Sequence, residues 1–292
     1  MKNKTISGKT QICGVIGDPI EHTMSPVMHN AAFGKLGLDY VYVAFRVKSD
    51  ELAGAIEGMR ALNIRGLNVT IPHKVSIIPL LDSLDPVAEK IGAVNTVVNR
   101  DGALKGYNTD ATGFLQALLD KVVTPEGKNV VILGAGGAAR AISFILAEKR
   151  ANLLILNRLE EMDWAEELAR KISSVFGKEV RALELTGVNL RTALDKAELL
   201  VNATSVGMSP NINLTPVPAR LLRPSLVVFD IVYNPIKTKL ATEASLAGCE
   251  TIMGLDMLVW QGALAFEMWT GKQAPVDLMK GEAIKVLKSH DN

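Results

Sequence analysis

The sequence predicts an α/β chain in two domains, the second a doubly wound parallel sheet, and three observations predict it. Strand-like and helix-like runs alternate along nearly the whole chain. The alternation pauses once, over Lys121 to Lys128 with Pro125 and Gly127, and then restarts. The first strand after the restart runs directly into a glycine-rich turn and a helix. At 292 residues, 48% of them hydrophobic and 22% charged, the chain can bury two cores.

The first domain is expected at residues 1–113, completed by 256–292. Its strands read at Gln11 to Ile16, Tyr40 to Val47 and Gly66 to Ile71, and its helices at Ser25 to Leu36, Asp50 to Leu62 and Pro86 to Ile91. Val94 to Asn108 reads as two short extended pieces about the Arg100-Asp101-Gly102 turn, with a helix following from Ala111. The second domain, 114–255, repeats strand and helix at Asn129 to Leu133, Gly137 to Glu148, Asn152 to Leu156 and Asp163 to Phe176. Strands at Leu199 to Asn202, Leu226 to Asp230 and Glu250 to Met253 continue the rhythm. Two long helical patterns, Leu255 to Thr270 and Val276 to Lys288, are followed by no strand and are expected to pack back on the first domain.

Thirty-two basic residues against thirty-one acidic ones give a formal net charge of +1, which offers no broad field for nucleic acid or an anionic membrane. The expected partner is a small molecule, with no nucleic acid and no membrane, and the chain is read as a monomer or homodimer. The polar, basic stretch Met1 to Gln11 lacks the apolar core of a secretory signal, so the expected location is cytoplasmic. Cys13 and Cys249 lie in separate apolar surroundings and read as reduced, buried thiols, and the four histidines make no metal-ligand cluster, so no metal is expected.

The chemistry concentrates first at Gly134-Ala135-Gly136-Gly137-Ala138-Ala139, between a strand and an apolar-periodic helix. Gly134 permits a tight turn, Gly136 lets backbone approach a pyrophosphate, Ala139 lets helix pack on strand, and the helix start offers N–H groups to the anion. This is the local pattern of a Rossmann-type dinucleotide-binding domain. The next strand ends at Asn157-Arg158. An acidic residue at this place holds the ribose hydroxyls of NAD, whereas an arginine favours the 2′-phosphate of NADP. Arg158 tilts the cofactor to NADP; Glu160 and Glu161 close behind it keep NAD open.

A second set of polar residues lies in the first domain. Asn68-Val69-Thr70-Ile71-Pro72-His73-Lys74 runs off a strand into a short helical segment, with Asn68 and Thr70 on one strand face and Lys74 at its carboxyl end. Ser25, followed by Pro26, reads as a helix N-cap, while Thr23 adds a second hydroxyl suited to a carboxylate near a helix start. Asp110 reads as the N-cap of the next helix, and Asn95 and Gln261 are amides among apolar neighbours, where burial demands partners.

Taken in order, these segments resemble the shikimate dehydrogenase family, including its quinate/shikimate dehydrogenase branch, from about Gln11 to Gly271. The resemblance is carried by Thr23-Met24-Ser25-Pro26, Asn68 to Lys74, Gly92-Ala93-Val94-Asn95-Thr96, Gly106-Tyr107-Asn108-Thr109-Asp110, Asn202-Ala203-Thr204-Ser205 with Gly207-Met208, and Tyr233-Asn234-Pro235. It implies NADP-dependent reduction of 3-dehydroshikimate to shikimate, on the route to aromatic amino acids. It further implies that Thr23 and Ser25 hold the substrate carboxylate and that Asn68, Thr70, Asn95, Asp110 and Gln261 hold ring hydroxyls. Lys74 and Asp110 match the family's catalytic pair. Gly134, Ala135, Gly136, Gly137, Ala138, Asn157, Arg158 and Thr204 match cofactor-binding places. Tyr233 and Gly254 fall where the chain passes near substrate and nicotinamide.

Two departures bear on specificity. Thr23 stands where the family usually has serine, and its added methyl narrows the pocket. Leu159-Glu160-Glu161 stands where the NADP-specific branch usually adds a hydroxyl and a further basic residue. A quinate/shikimate dehydrogenase using NAD or both cofactors is therefore the alternative within the family. A non-catalytic sensor of shikimate-type metabolites is the alternative outside catalysis, opposed by Lys74 and Asp110 and by the lack of an appended nucleic-acid-binding module.

Overall fold

In a computed structural model, residues 6–290 are described. The first five residues of the polar amino-terminal stretch and the last two of the expected 256–292 completion lie outside the described residues. The described residues divide into two compact units, 6–109 with 259–290 and 110–258.

The first unit holds β1 (Gln11–Gly17), α1 (Ser25–Lys35), β2 (Tyr40–Arg46), α2 (Leu52–Ala61), β3 (Gly66–Val69), β4 (Ser83–Leu84), α3 (Pro86–Ile91), β5 (Thr96–Arg100) and β6 (Ala103–Tyr107). Among the described residues its sheet has six strands in the order β2-β1-β3-β5-β6-β4. β1 runs parallel to β2 and β3, whereas β3-β5 and β5-β6 are antiparallel, the second pair turning at Asp101-Gly102. At the edge, Asn30 of α1 does for β2 what a neighbouring strand would: its amide donates to Tyr42 O and accepts from Tyr42 N–H, both at 2.9 Å. One core lies between this sheet and α2, gathering Ile16, Leu52, Ile56, Met59, Leu67 and Val97.

The second unit holds α4 (Asp110–Leu119), β7 (Asn129–Leu133), α5 (Gly137–Glu148), β8 (Asn152–Asn157), α6 (Met162–Phe176), β9 (Arg181–Glu184), α7 (Gly187–Lys196), β10 (Leu199–Asn202), β11 (Val227–Asp230), α8 (Lys239–Leu246) and β12 (Glu250–Met253). Its strands are parallel throughout, in the order β12-β11-β10-β7-β8-β9. Renumbered from β7, that is the 3-2-1-4-5-6 arrangement of a dinucleotide fold, and the order reverses between β7 and β10. Lys121 to Lys128 is the turn joining α4 to β7 inside this unit.

The chain ends with α9 (Gly254–Thr270) and α10 (Val276–His290), which rejoin the first unit from Val259 onward. α10 packs on α1, and Trp269 of α9 is buried against the sheet with its indole N–H on Val97 O at 3.1 Å.

Candidate active site

Asn68, near the end of β3, is buried and held from three sides. The Tyr42 phenol donates to its Oδ1 at 2.7 Å, and its amide donates to Asn95 O at 3.3 Å and Thr96 Oγ1 at 3.2 Å. Asn95, just before β5, accepts from Thr109 N–H at 2.7 Å and donates to Thr109 Oγ1 at 2.9 Å and Gln261 Oε1 at 3.2 Å. Amides of β3, the β5 approach and α9 therefore form one connected polar layer, which is how a buried amide escapes the penalty of lost hydration.

Ser25 is not the N-cap of α1 but its first residue. Met24 occupies the cap position in a near-helical conformation (φ −88, ψ −7), makes no side-chain cap bond, and Pro26 follows in the first turn. A capping serine needs extended backbone ahead of the helix. The Ser25 hydroxyl instead bonds the Tyr42 phenol, joining the polar layer. Thr23, half-buried, accepts from Ser25 N–H at 3.3 Å.

β3 ends at Val69, so Thr70 does not share a strand face with Asn68. Its N–H still reaches Ile16 O at 3.0 Å, and its methyl packs where a Cβ on Gly17 would stand 2.5 Å away. The expected helical segment after it is a run of turns closing in a 3-10 turn at Ile78–Leu80. Pro79 removes the N–H that an α-helix would need there. Half-buried Lys74 lies in this run, its carbonyl accepting from Val94 N–H at 2.7 Å, while buried His73 places Nε2 2.7 Å from Val47 O. Asp110 is buried as the first residue of α4, immediately after Thr109.

In the second unit, Gly134 follows β7 with φ +100, and a Cβ there would meet Ala203 O at 3.0 Å and Thr204 Cγ2 at 3.1 Å. Both constraints require glycine. Buried Ala135 follows, then exposed Gly136 as the N-cap of α5, with open space where a Cβ would stand. Gly137 and Ala138 form the first turn of α5, leaving N–H groups directed outward, and Ala139 is fully buried against the sheet. These residues fit a pyrophosphate.

At the end of β8, Asn157 is buried and donates to Glu161 O at 2.8 Å. Arg158 is two-thirds exposed, and its guanidinium is ion-paired with Glu161, which raises its already high pKa. Thr204 donates to Asn202 Oδ1 at 2.6 Å and receives Val206 N–H at 3.1 Å, fixing the loop after β10. Gly254 opens α9, where a Cβ would lie 2.2 Å from Ile231 O, so only glycine lets the segment leading to Tyr233 pass. Tyr233 is half-buried and burial pushes its phenol pKa up.

Several structural partners of these residues carry no local signal in the sequence. Tyr42 lies 26 residues from Asn68, and reads as one more aromatic in a strand. His29 is fully buried, stacks on Tyr42 at 4.3 Å with the rings 5° from parallel, and has no hydrogen-bond partner at either ring nitrogen among the described residues. Burial pushes its pKa down from 6.5 to about 3. Asp230, ending β11, receives Asn202 Nδ2 at 2.9 Å, Val232 N–H at 3.1 Å and Thr238 Oγ1 at 2.6 Å. Burial nevertheless raises its pKa from 3.8 to about 6. Asn202 and Thr109 stand inside segments already singled out, so attention to every polar position there would have found them. Among the described residues no group of His, Cys, Asp and Glu is arranged to hold a metal, and no helix is long and apolar enough to cross a membrane.

Family models match three stretches: the shikimate dehydrogenase substrate binding domain over residues 15–97, shikimate / quinate 5-dehydrogenase over 117–241, and the shikimate 5′-dehydrogenase C-terminal domain over 254–284. The chain is 48% identical over 275 residues to a shikimate dehydrogenase (NADP(+)) of Moorella thermoacetica, covering 94% of this chain and 92% of that one. A crystal structure of a shikimate dehydrogenase in complex with NADP+ superposes with a TM-score of 0.90 at 44% identity, covering 97% of this chain and 98% of that one. A shikimate 5-dehydrogenase of Listeria monocytogenes, in complex with shikimate and NAD, superposes at 0.88 with 45% identity over 95% and 98% of the two chains.

Proposed function

The chain belongs to the shikimate dehydrogenase family, and we propose that it catalyses the reversible, NADP-dependent reduction of 3-dehydroshikimate to shikimate in aromatic amino acid biosynthesis. What supports this most is the extent of the likeness, which runs through both units to proteins named for that activity. The glycine turn, the order of the second sheet and the amide-rich layer of the first unit are the chemistry such a reaction needs.

Gly134 to Ala138 and the start of α5 would hold the pyrophosphate, with Asn157 and Arg158 at the adenosine end and Thr204 and Gly254 on the segments toward the nicotinamide. NADPH, when bound, supplies the hydride. The substrate carboxylate falls to the hydroxyls of Thr23 and Ser25, and the ring hydroxyls to Asn68, Thr70, Asn95, Gln261 and Tyr233. Both amide protons of Asn68 already serve the protein, so its remaining contribution is to accept a hydrogen bond from a ring hydroxyl at Oδ1. We assign to Lys74 the proton that reaches the developing alkoxide and the positive charge that stabilises it. Asp110 is assigned acceptance of a hydrogen bond from a substrate hydroxyl.

Initial rates with shikimate or quinate, each crossed against NADP and NAD, test the reading. Activity with shikimate and NADP is expected, and silence in all four combinations would remove it. Lys74→Ala is expected to lower kcat by about 100-fold or more with a much smaller change in KM, the pattern of a group acting in the transition state. Use of NAD beside NADP is favoured by one observation, the ion pair between Arg158 and Glu161.

A further inference from the structure

The residue expected to read the 2′-phosphate is not waiting for it. Arg158 already has an anion on its guanidinium, the carboxylate of Glu161. That carboxylate is delivered by a built turn. Leu159–Glu161 forms a single 3-10 turn, Glu161 N–H donates to Arg158 O at 3.1 Å, and Asn157 Nδ2 donates to Glu161 O at 2.8 Å. Both backbone polar groups of Glu161 are thus fixed, and its side chain is only 24% exposed against 66% for Arg158.

A guanidinium fork engages one oxyanion group along a given edge, and carboxylate and phosphate compete for the same N–H directions. Glu160 stands next in the chain and adds a second negative charge. A 2′-phosphate arriving at Arg158 would therefore displace Glu161 and meet two carboxylates with one guanidinium. A dinucleotide lacking that phosphate leaves the pair intact.

We propose that Glu161 is an internal competitor for the 2′-phosphate: it occupies Arg158 in the free protein, is exchanged for the phosphate when NADP binds, and so narrows the preference for NADP over NAD. The proposal rests on the dinucleotide reading of the second unit and deepens it, since the residue that sets the preference is the acid three places after the arginine rather than the arginine alone.

The test is calorimetric binding to the full chain of 2′,5′-ADP, which carries the 2′-phosphate, and of 5′-AMP, which does not. An exposed ion pair changes binding by roughly 1.5- to 5-fold, and relief of repulsion adds to it. Glu161→Gln is expected to tighten 2′,5′-ADP by about 3- to 10-fold and to leave 5′-AMP within about twofold. Glu160→Gln, which changes the charge equally, is expected to have less than half that effect. An unchanged ratio of the two ligands in Glu161→Gln overturns the exchange, and so does an equal effect from Glu160→Gln, which would reduce it to general charge. Wild-type turnover of shikimate is measured alongside. A protein that turns over with NADP while Glu161→Gln leaves the ratio unchanged refutes the exchange alone, and one that binds neither nucleotide refutes the dinucleotide reading and the exchange together.

Discussion

Replacing His29 with phenylalanine isolates a titration hidden in the aromatic layer of the first unit. The imidazole is fully buried, packed on Tyr42 with Trp269 at 5.4 Å and Phe266 at 6.2 Å between ring centres, and burial holds its pKa at about 3 against an ordinary 6.5. A shift of roughly three and a half units corresponds to about 5 kcal/mol between the protonation states. The folded pKa is depressed, so the neutral ring is the form compatible with the fold. Its contribution is complete above pH 6.5 and is lost as the pH falls from there toward 3, at about 1.4 kcal/mol per unit. Phenylalanine keeps an aromatic ring on Tyr42 and removes the proton acceptor. At neutral pH two opposing effects nearly cancel: about 1–3 kcal/mol from no longer burying unpaired ring nitrogens, against a similar overpacking cost for the larger ring. Urea unfolding of both proteins at pH 7, 6, 5 and 4.5 is the assay. The wild type is expected to lose stability faster on acidification, with the difference growing by about 1.4 kcal/mol per unit below pH 6. Parallel pH profiles would show that the ring is hydrated or partnered in solution and would refute the reasoning.

The glycine turn separates folding from binding. Gly134→Ala forces a Cβ into φ +100 and against Ala203 O at 3.0 Å, and is expected to cost about 1–3 kcal/mol in urea unfolding. Gly136→Val enters open space at an extended residue and is expected to leave stability within about 1 kcal/mol while weakening NADP binding by about 100-fold or more, read by calorimetry. The reverse order of stabilities would contradict the geometry. Asp230→Asn probes the buried carboxylate: its folded pKa of about 6 lies above 3.8, so the wild type loses about 3 kcal/mol from this group as pH rises from 3.8 through 6. The stability of the asparagine variant relative to wild type is expected to improve by up to that amount between pH 4 and pH 7.5, and a constant difference would mean that the three hydrogen bonds outweigh burial.

What the sequence made legible was local. The strand ending at Leu133, the glycine turn and the helix from Gly137 declare one another within twenty residues, because the turn needs φ > 0 and the flanks need opposite periodicities. β9, α7 and α8 carry no comparable signal: a four-residue strand and two short helices have too few apolar positions for either period to stand out. Ser25-Pro26 reads as cap and first helical residue, but Met24 is already nearly helical, and backbone conformation ahead of a helix is not written in its first two side chains. Tyr42, His29 and Asp230 were illegible for a different reason. Their roles are set by partners that only the folded sheets bring near.

Those distant partners explain why the polar residues of the first unit form one restrained layer rather than a set of isolated amides. Asn68 points in one direction because Tyr42, Asn95 and Thr96 hold all but one of its hydrogen-bonding positions. Tyr42 is held in turn by Ser25 at its hydroxyl and by the His29 ring on its face. Asn95 is gripped by Thr109, the residue before Asp110, and by Gln261 from α9. Ser25, Asn68, Asn95 and Gln261 are thus each restrained by a neighbour, so binding a polyhydroxylated ring there would order few side chains, which is the condition under which short polar contacts yield specificity. The unpaired nitrogens of His29 are the cost of that arrangement: stacking fixes the phenol without competing for its hydroxyl, which a hydrogen-bonding neighbour in the same place would do.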